Sequence, residues 1–130
     1  LANPAAVSAS SSNAKPMPPM GLGTCCLVGE ASTQQVTDGL LAGYRLLDTA
    51  SHYDNEEAVA KAVKAAGLTR SDVFLVTKVW FDDMGDRAGE AITESLERLG
   101  TDYVDMLLMH FPGANDALQS PARNKQKREV

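Results

Sequence analysis

The sequence is short of several things, and each shortage excludes something. Only two cysteines occur among 130 residues, Cys25 and Cys26, and they are neighbours. Two thiols alone cannot build a structural zinc site, and a disulfide between adjacent residues is strained. The pair reads as two reduced thiols in a reducing compartment. No apolar run approaches the ~18–20 residues that a membrane-spanning helix needs. Positive charge is scarce: 12 Lys and Arg against 17 Asp and Glu leave a net charge of −5. That is not the balance of a nucleic-acid binder. Arg123, Lys125, Lys127 and Arg128 cluster near the end and read as a solvated loop or helix start. The first residue is Leu1 rather than Met, and Leu1 to Lys15 contains no acid. That composition suits a transit-peptide remnant or, more simply, a flexible terminal arm. Residues 1–15 are therefore expected to be an arm and 16–130 one domain. The closing "NKQKREV" completes no helix or strand, so the chain reads as a fragment.

What is present suffices for a core, since 44% of residues are hydrophobic. Three short apolar runs each close on a polar residue: "YRLLD" (Tyr44–Asp48), "VFLVTK" (Val73–Lys78) and "YVDMLLMH" (Tyr103–His110). Their nearly unbroken apolar character is that of strands buried on both faces. A shorter strand is expected at Met20–Thr24. Helical stripes fill the gaps. Thr33–Ala42 carries Val36, Leu40 and Leu41. Glu56–Ala66 carries Ala58, Val59, Ala62, Val63 and Ala66, with Asp54 or Asn55 as its cap. Asp86–Leu99 carries Ala88, Ala91, Ile92, Ser95, Leu96 and Leu99, and Glu94 with Arg98 adds an i,i+4 pair. Each helix meets a glycine, Gly43, Gly67 or Gly100.

The strand ends at 48, 78 and 110 lie 30 and 32 residues apart, the period of a βα unit. Repeated units imply an α/β protein, either an open doubly wound sheet or a (β/α)8 TIM barrel. A complete barrel needs roughly 250 residues. This chain supplies about the first half, strands 1–4 with helices 1–3.

In both architectures the active site lies at the C-terminal ends of the strands. Those ends carry Asp48, Lys78 and His110, with Tyr53 five residues past Asp48. One polar residue at a strand end means little, but three in succession with a tyrosine nearby point to chemistry. A tyrosine is a poor acid near neutrality, and a lysine cation beside it favours the phenolate. A carboxylate can hold that lysine in place, and a histidine can orient a substrate oxygen. Tyr53 then becomes a usable general acid for an oxygen that gains negative charge. Carbonyl reduction by hydride needs such an acid. Side chains offer no hydride, so a nicotinamide cofactor has to supply it.

Two other constellations are weaker. His52, Asp54 and His110 formally match a two-histidine, one-carboxylate iron site, but on a strand–helix scaffold His52 reads as a loop histidine beside the pocket. Ser51 and His52 are too close in sequence to face one another as a hydrolase pair, and no Gly-x-Ser-x-Gly elbow occurs.

From about Met17 to Pro112 the chain resembles the aldo-keto reductase family. "MPPMGLGT" is similar to its opening segment, "GYRLLDTASHYDNEEAVAKAV" to its Asp-Thr-Ala…Tyr…Asn-Glu motif, "VFLVTKVW" to its third-strand motif, and "SLERLGTDYVDMLLMHFP" to its His-x-Pro signature. The resemblance implies a (β/α)8 barrel and NADPH-dependent reduction of aldehydes or ketones. It implies Tyr53 as the general acid, Lys78 and Asp48 as its partners, and His110 as the residue orienting the carbonyl. Thr24 and Asp48 match positions near the nicotinamide ribose, and Trp80 and Phe111 match pocket walls. Cys25 stands where members often carry an aromatic, which changes the pocket. The family places most cofactor contacts on its second half. The partner implied is a small carbonyl substrate, with no metal, nucleic acid or membrane. The full-length form is expected to be a cytoplasmic monomer, or imported into an organelle if the arm is a transit-peptide remnant. The alternatives are a non-catalytic binding or structural relative and an inactive fragment.

Overall fold

A computed structural model describes residues 15–29 and 31–111. Residues 1–14 of the arm expected at 1–15, Pro112 of the His-x-Pro signature and the basic cluster fall outside these residues, whereas Lys15 is described and donates to the Ser71 carbonyl.

Four strands alternate with three helices: β1 (Gly21–Gly23), α1 (Ala31–Leu41), β2 (Leu46–Asp48), α2 (Glu56–Ala65), β3 (Phe74–Val79), α3 (Ala88–Leu99) and β4 (Met106–Met109). The strands form one parallel sheet in the order β1-β2-β3-β4. Parallel neighbours require a crossover, and each crossover is one of the helices. All three helices stop in the same way. At the end of α3, Gly100 adopts φ 62°, its N–H reaches the Glu97 carbonyl at 3.0 Å, and the Thr101 N–H reaches that of Leu96 at 3.1 Å. This left-handed turn closes the orphan carbonyls of the last turn.

The main core lies between helices and sheet: Val36 and Leu40 of α1, Val59, Ala62 and Val63 of α2, Leu99 of α3, and Leu47, Val73 and Leu75 from the sheet side. Alternation along each strand sends the neighbouring residues to the opposite face. The register aligns Gly23, Asp48, Val76 and Met106 in one row, with Lys78 and Leu108 in the next row on that face. Asp48 and Lys78 therefore share a face, with Lys78 one pleat further toward the strand ends.

Several sequence-based expectations need adjusting. β2 starts at Leu46 rather than Tyr44, because the Tyr44 N–H closes the end of α1 on the Gly39 carbonyl (3.1 Å), where the Arg45 guanidinium also donates to the carbonyls of Leu40 (2.8 Å) and Tyr44 (2.7 Å). β1 is confined to Gly21–Gly23, and β3 runs to Val79, so Lys78 sits inside the strand rather than beyond it. β4 starts at Met106 rather than Tyr103. The Asp105 carboxylate instead accepts from the Leu75 N–H (2.8 Å) and the Arg70 guanidinium (2.6 Å). Only β3 is buried nearly throughout. On β4, Leu107, Leu108 and Met109 are exposed, as an edge strand with no further neighbour among the described residues must be. Leu41 is also exposed. α3 begins at Ala88, after a 3-10 turn at Gly85–Arg87.

One polar tie crosses the helix layer. The Glu56 carboxylate is 1% exposed and accepts from Thr77 Oγ1 (2.7 Å) on β3 and Arg98 Nε (2.8 Å) on α3. A buried carboxylate is tolerable only when its lone pairs are matched in this way. Glu94 also pairs with Arg98, at 3.6 Å. Arg98→Ala is expected to cost about 2 kcal/mol, below the ~3–5 kcal/mol of a fully buried pair because Arg98 is one-third exposed. Arg87→Ala, whose guanidinium is half-exposed, is expected to cost under ~1 kcal/mol. Urea denaturation of the two variants measures the difference.

Candidate active site

The polar rim forms where the shared face of β2, β3 and β4 reaches its C-terminal end. Lys78 projects from β3 and is mostly buried, so its ammonium needs partners. It has three: Asp48 Oδ1 at 2.6 Å, the Thr49 carbonyl at 3.0 Å and Tyr53 Oη at 3.2 Å. An ammonium has three N–H donors, and all are used. Its nitrogen also lies 4.7 Å from the Tyr53 ring centroid. Tyr53 reaches it because β2 is followed by a 3-10 turn, Ser51–Tyr53, closed by Tyr53 N–H to the Ala50 carbonyl at 3.0 Å.

Aromatic rings line the side toward β4. The His110 N–H extends the sheet ladder to the Val79 carbonyl (3.0 Å), which turns the imidazole edge-on to Tyr53 with centroids 5.3 Å apart. Phe111 stacks on His110 at 5.1 Å, and Trp80 meets His110 edge-on at 5.0 Å. His52 stacks flat on Trp80 at 3.7 Å. Burial, and then the Lys78 cation, push the His110 pKa below its ordinary 6.5, while Asp48 opposes this. The imidazole is therefore neutral at pH 7. Its Nδ1 is buried with no hydrogen-bond partner among the described residues.

The structure thus brings together Asp48, Tyr53, Lys78 and His110, with Trp80 and Phe111 beside them. Cys25 lies within electrostatic reach of Lys78 and Asp48. Thr24 is fully buried, and its hydroxyl faces the Asp48 carbonyl (3.3 Å) and Asn55 Oδ1 (3.4 Å). Ser51 Oγ donates to the Lys78 carbonyl at 3.1 Å. Among the described residues, no three His, Cys, Asp or Glu side chains are grouped to hold a metal ion.

Asn55 is the residue that sequence reasoning misplaced. As a helix cap it would bond to its own helix, but no side-chain cap bond forms. Its amide instead donates to the carbonyls of Thr24 (2.7 Å) and Leu27 (3.0 Å). Its oxygen accepts from Thr49 Oγ1 (3.0 Å) and Thr24 Oγ1 (3.4 Å). Both amide hydrogens of the carboxamide are used, and its oxygen accepts from Thr49 and shares the Thr24 proton with the Asp48 carbonyl. Asn55 thereby clamps the β1–α1 loop to the segment following β2. Nothing in its local sequence separates this role from capping, because its partners lie 28 and 31 residues away.

Residues 19–122 match the model of the aldo/keto reductase family. The chain belongs to that family. It is 43% identical over 112 residues to the methylglyoxal reductase DkgA of Salmonella typhimurium, covering 86% of this chain and 40% of that protein. Among solved structures it is similar to MGS-M4, an aldo-keto reductase from a Medee basin deep-sea metagenome library. That match has a TM-score of 0.73 and 37% identity, over 87% of this chain and 42% of the other. The Bombyx mori aldo-keto reductase in complex with NADP matches with a TM-score of 0.67 and 35% identity, over 78% of this chain and 37% of its own. The chain thus spans about 40% of the length of these family members. Its four parallel strands correspond to half of a (β/α)8 barrel. Among the described residues no helix is long and apolar enough to cross a membrane.

The pKa shift sets a pH dependence. The unfolded chain takes up a proton at His110 near pH 6.5, before the folded chain does. Stability is therefore full above that value and declines as pH falls from it toward the lower folded pKa. NMR titration of the two imidazoles is expected to give His110 a midpoint below 6.5, and Asp48→Asn should lower it further.

Proposed function

We propose that this site protonates the oxygen of an aldehyde or ketone while the carbonyl carbon is reduced to an alcohol. One observation carries the reading: the Lys78 ammonium donates all three of its hydrogens, one of them to Tyr53 Oη. A phenol oxygen that accepts from a cation has its own proton directed elsewhere, toward an incoming acceptor. As the phenol loses that proton, the fixed ammonium stabilises the negative charge left on oxygen. Asp48 and the Thr49 carbonyl hold the ammonium in position. Neutral His110 offers a hydrogen bond that orients the substrate oxygen without competing as an acid.

None of these groups can deliver hydride, so the donor set suits a nicotinamide cofactor, and NADPH is the form proposed here. When bound, NADPH would supply the hydride. Thr24 and Asp48 would lie near its ribose. Cys25, Trp80, His110 and Phe111 would line the substrate side. The NADP complex of the Bombyx mori relative supports this choice of cofactor. The names of the Salmonella relatives support a small dicarbonyl such as methylglyoxal as first test substrate.

Two experiments test the reading. Residues 19–122 are placed in the corresponding position of the Salmonella typhimurium methylglyoxal reductase, which provides a complete barrel. NADPH oxidation with methylglyoxal is then followed. Tyr53→Phe is expected to lower kcat by about 10²–10⁴-fold with the fold intact. Unchanged turnover would give the acid to another residue, and no turnover in the unsubstituted chimaera would favour a non-catalytic member. The 130-residue chain alone is expected to bind NADPH more weakly than micromolar, and a fluorescence titration showing micromolar affinity would refute that.

A further inference from the structure

Adjacent side chains on an extended strand point to opposite faces. Cys25 and Cys26 do not. They occupy the two middle positions of a turn closed by the Leu27 N–H to the Thr24 carbonyl at 3.2 Å. Cys26 takes the left-handed conformation, φ 66°, at the third position of that turn. Both thiols are exposed, and their sulfurs lie 3.3 Å apart. The carbonyls at both ends of the turn, Thr24 and Leu27, accept from the single buried amide of Asn55. The dithiol is thus presented by a backbone that is braced from beneath.

We propose that Cys25 and Cys26 form a chelating dithiol site for trivalent arsenicals at the rim of the carbonyl-binding face. The geometry separates this from the other fates of a thiol pair. Consecutive Cα atoms across a trans peptide are ~3.8 Å apart, below the ~4.4–6.8 Å usual for a disulfide. A centre bonded to both sulfurs at ~2.3 Å would subtend roughly 90° across their 3.3 Å separation. That angle suits a pyramidal trivalent centre with two sulfur ligands. Zinc prefers a tetrahedron and four ligands, and no third ligand is grouped here among the described residues. The hydrogen bond that Cys25 shares with Cys26 pushes the Cys25 thiol pKa up. A protonated thiol is a poor nucleophile toward peroxides. With an arsonous acid, two As–S bonds form and two As–O bonds break. Each thiol proton leaves with a hydroxyl as water, and arsenic stays trivalent, so no oxidant is needed. The site does not depend on the carbonyl-reduction reading.

The probe is phenylarsine oxide, added to the full 130-residue chain and to a peptide of residues 22–28 as an unbraced reference. Intact mass and thiol counting should show one arsenical per chain with both thiols consumed. Release should require a dithiol such as ethanedithiol rather than a monothiol. The protein is expected to bind at least about tenfold more tightly than the peptide, because the turn is pre-organised. Cys25→Ser and Cys26→Ser, both at exposed positions, should each leave only binding that a monothiol reverses. Asn55→Ala should bring the affinity down to that of the peptide. Equal affinity of protein and peptide, or monothiol-resistant binding that survives either serine variant, would overturn the proposal.

Discussion

The Lys78 ammonium is the group around which the rim is built. It is a charge taken largely out of water, and it is tolerated because three oxygens surround it at hydrogen-bond distance. Meeting that requirement places Asp48, Thr49 and Tyr53 together. The 3-10 turn after β2 exists at the length that lets Tyr53 fold back onto Lys78. The parallel register then sets Lys78 one pleat beyond Asp48, and His110 follows β4 on the adjoining strand. A shift of one residue in that register would turn Lys78 toward the helix layer and dissolve the site.

Two consecutive residues at the start of α2 support this rim from opposite sides. Asn55 and Glu56 are both polar, both buried and both satisfied. Asn55 reaches the β1–α1 loop, and Glu56 joins β3 and α3 through Thr77 and Arg98. A helix start ordinarily exposes such residues to water. Here each bonds a distant segment, and each would leave unmatched buried groups behind if removed. The exposed Glu57 that follows behaves as helix-start acids usually do, 4.0 Å from Lys61 on the surface. A run of polar letters thus holds two structural pins and one solvated charge.

Periodicity made the βα order readable, because apolar runs at strand length and stripes at helix length depend only on local burial. The residues closing those runs were readable for the same reason, since in a parallel β/α fold they share one end. The errors fall where a partner outside the run decides. The Tyr44 N–H closes the end of α1 instead of starting β2, the Asp105 carboxylate takes the Leu75 N–H ahead of β4, and the Asn55 side chain turns from its helix to hold a loop. The expectation of strands buried on both faces fails on β4, whose outer edge has no neighbour among the described residues. Burial is a property of what lies alongside a strand, and its own letters do not contain that.

The sequence by itself determined the family, the alternation of strands and helices, and which side chains stand at the strand ends. Those depend on composition and spacing along the chain. Only the tertiary structure decided that Lys78 uses all its donors on the rim, that His110 is held neutral among aromatic rings, and that two neighbouring cysteines face the same way. Each follows from contacts between segments 20 or more residues apart, or from a backbone turn braced by one of them. Distances in space settle these points, and a one-dimensional pattern carries no such distances.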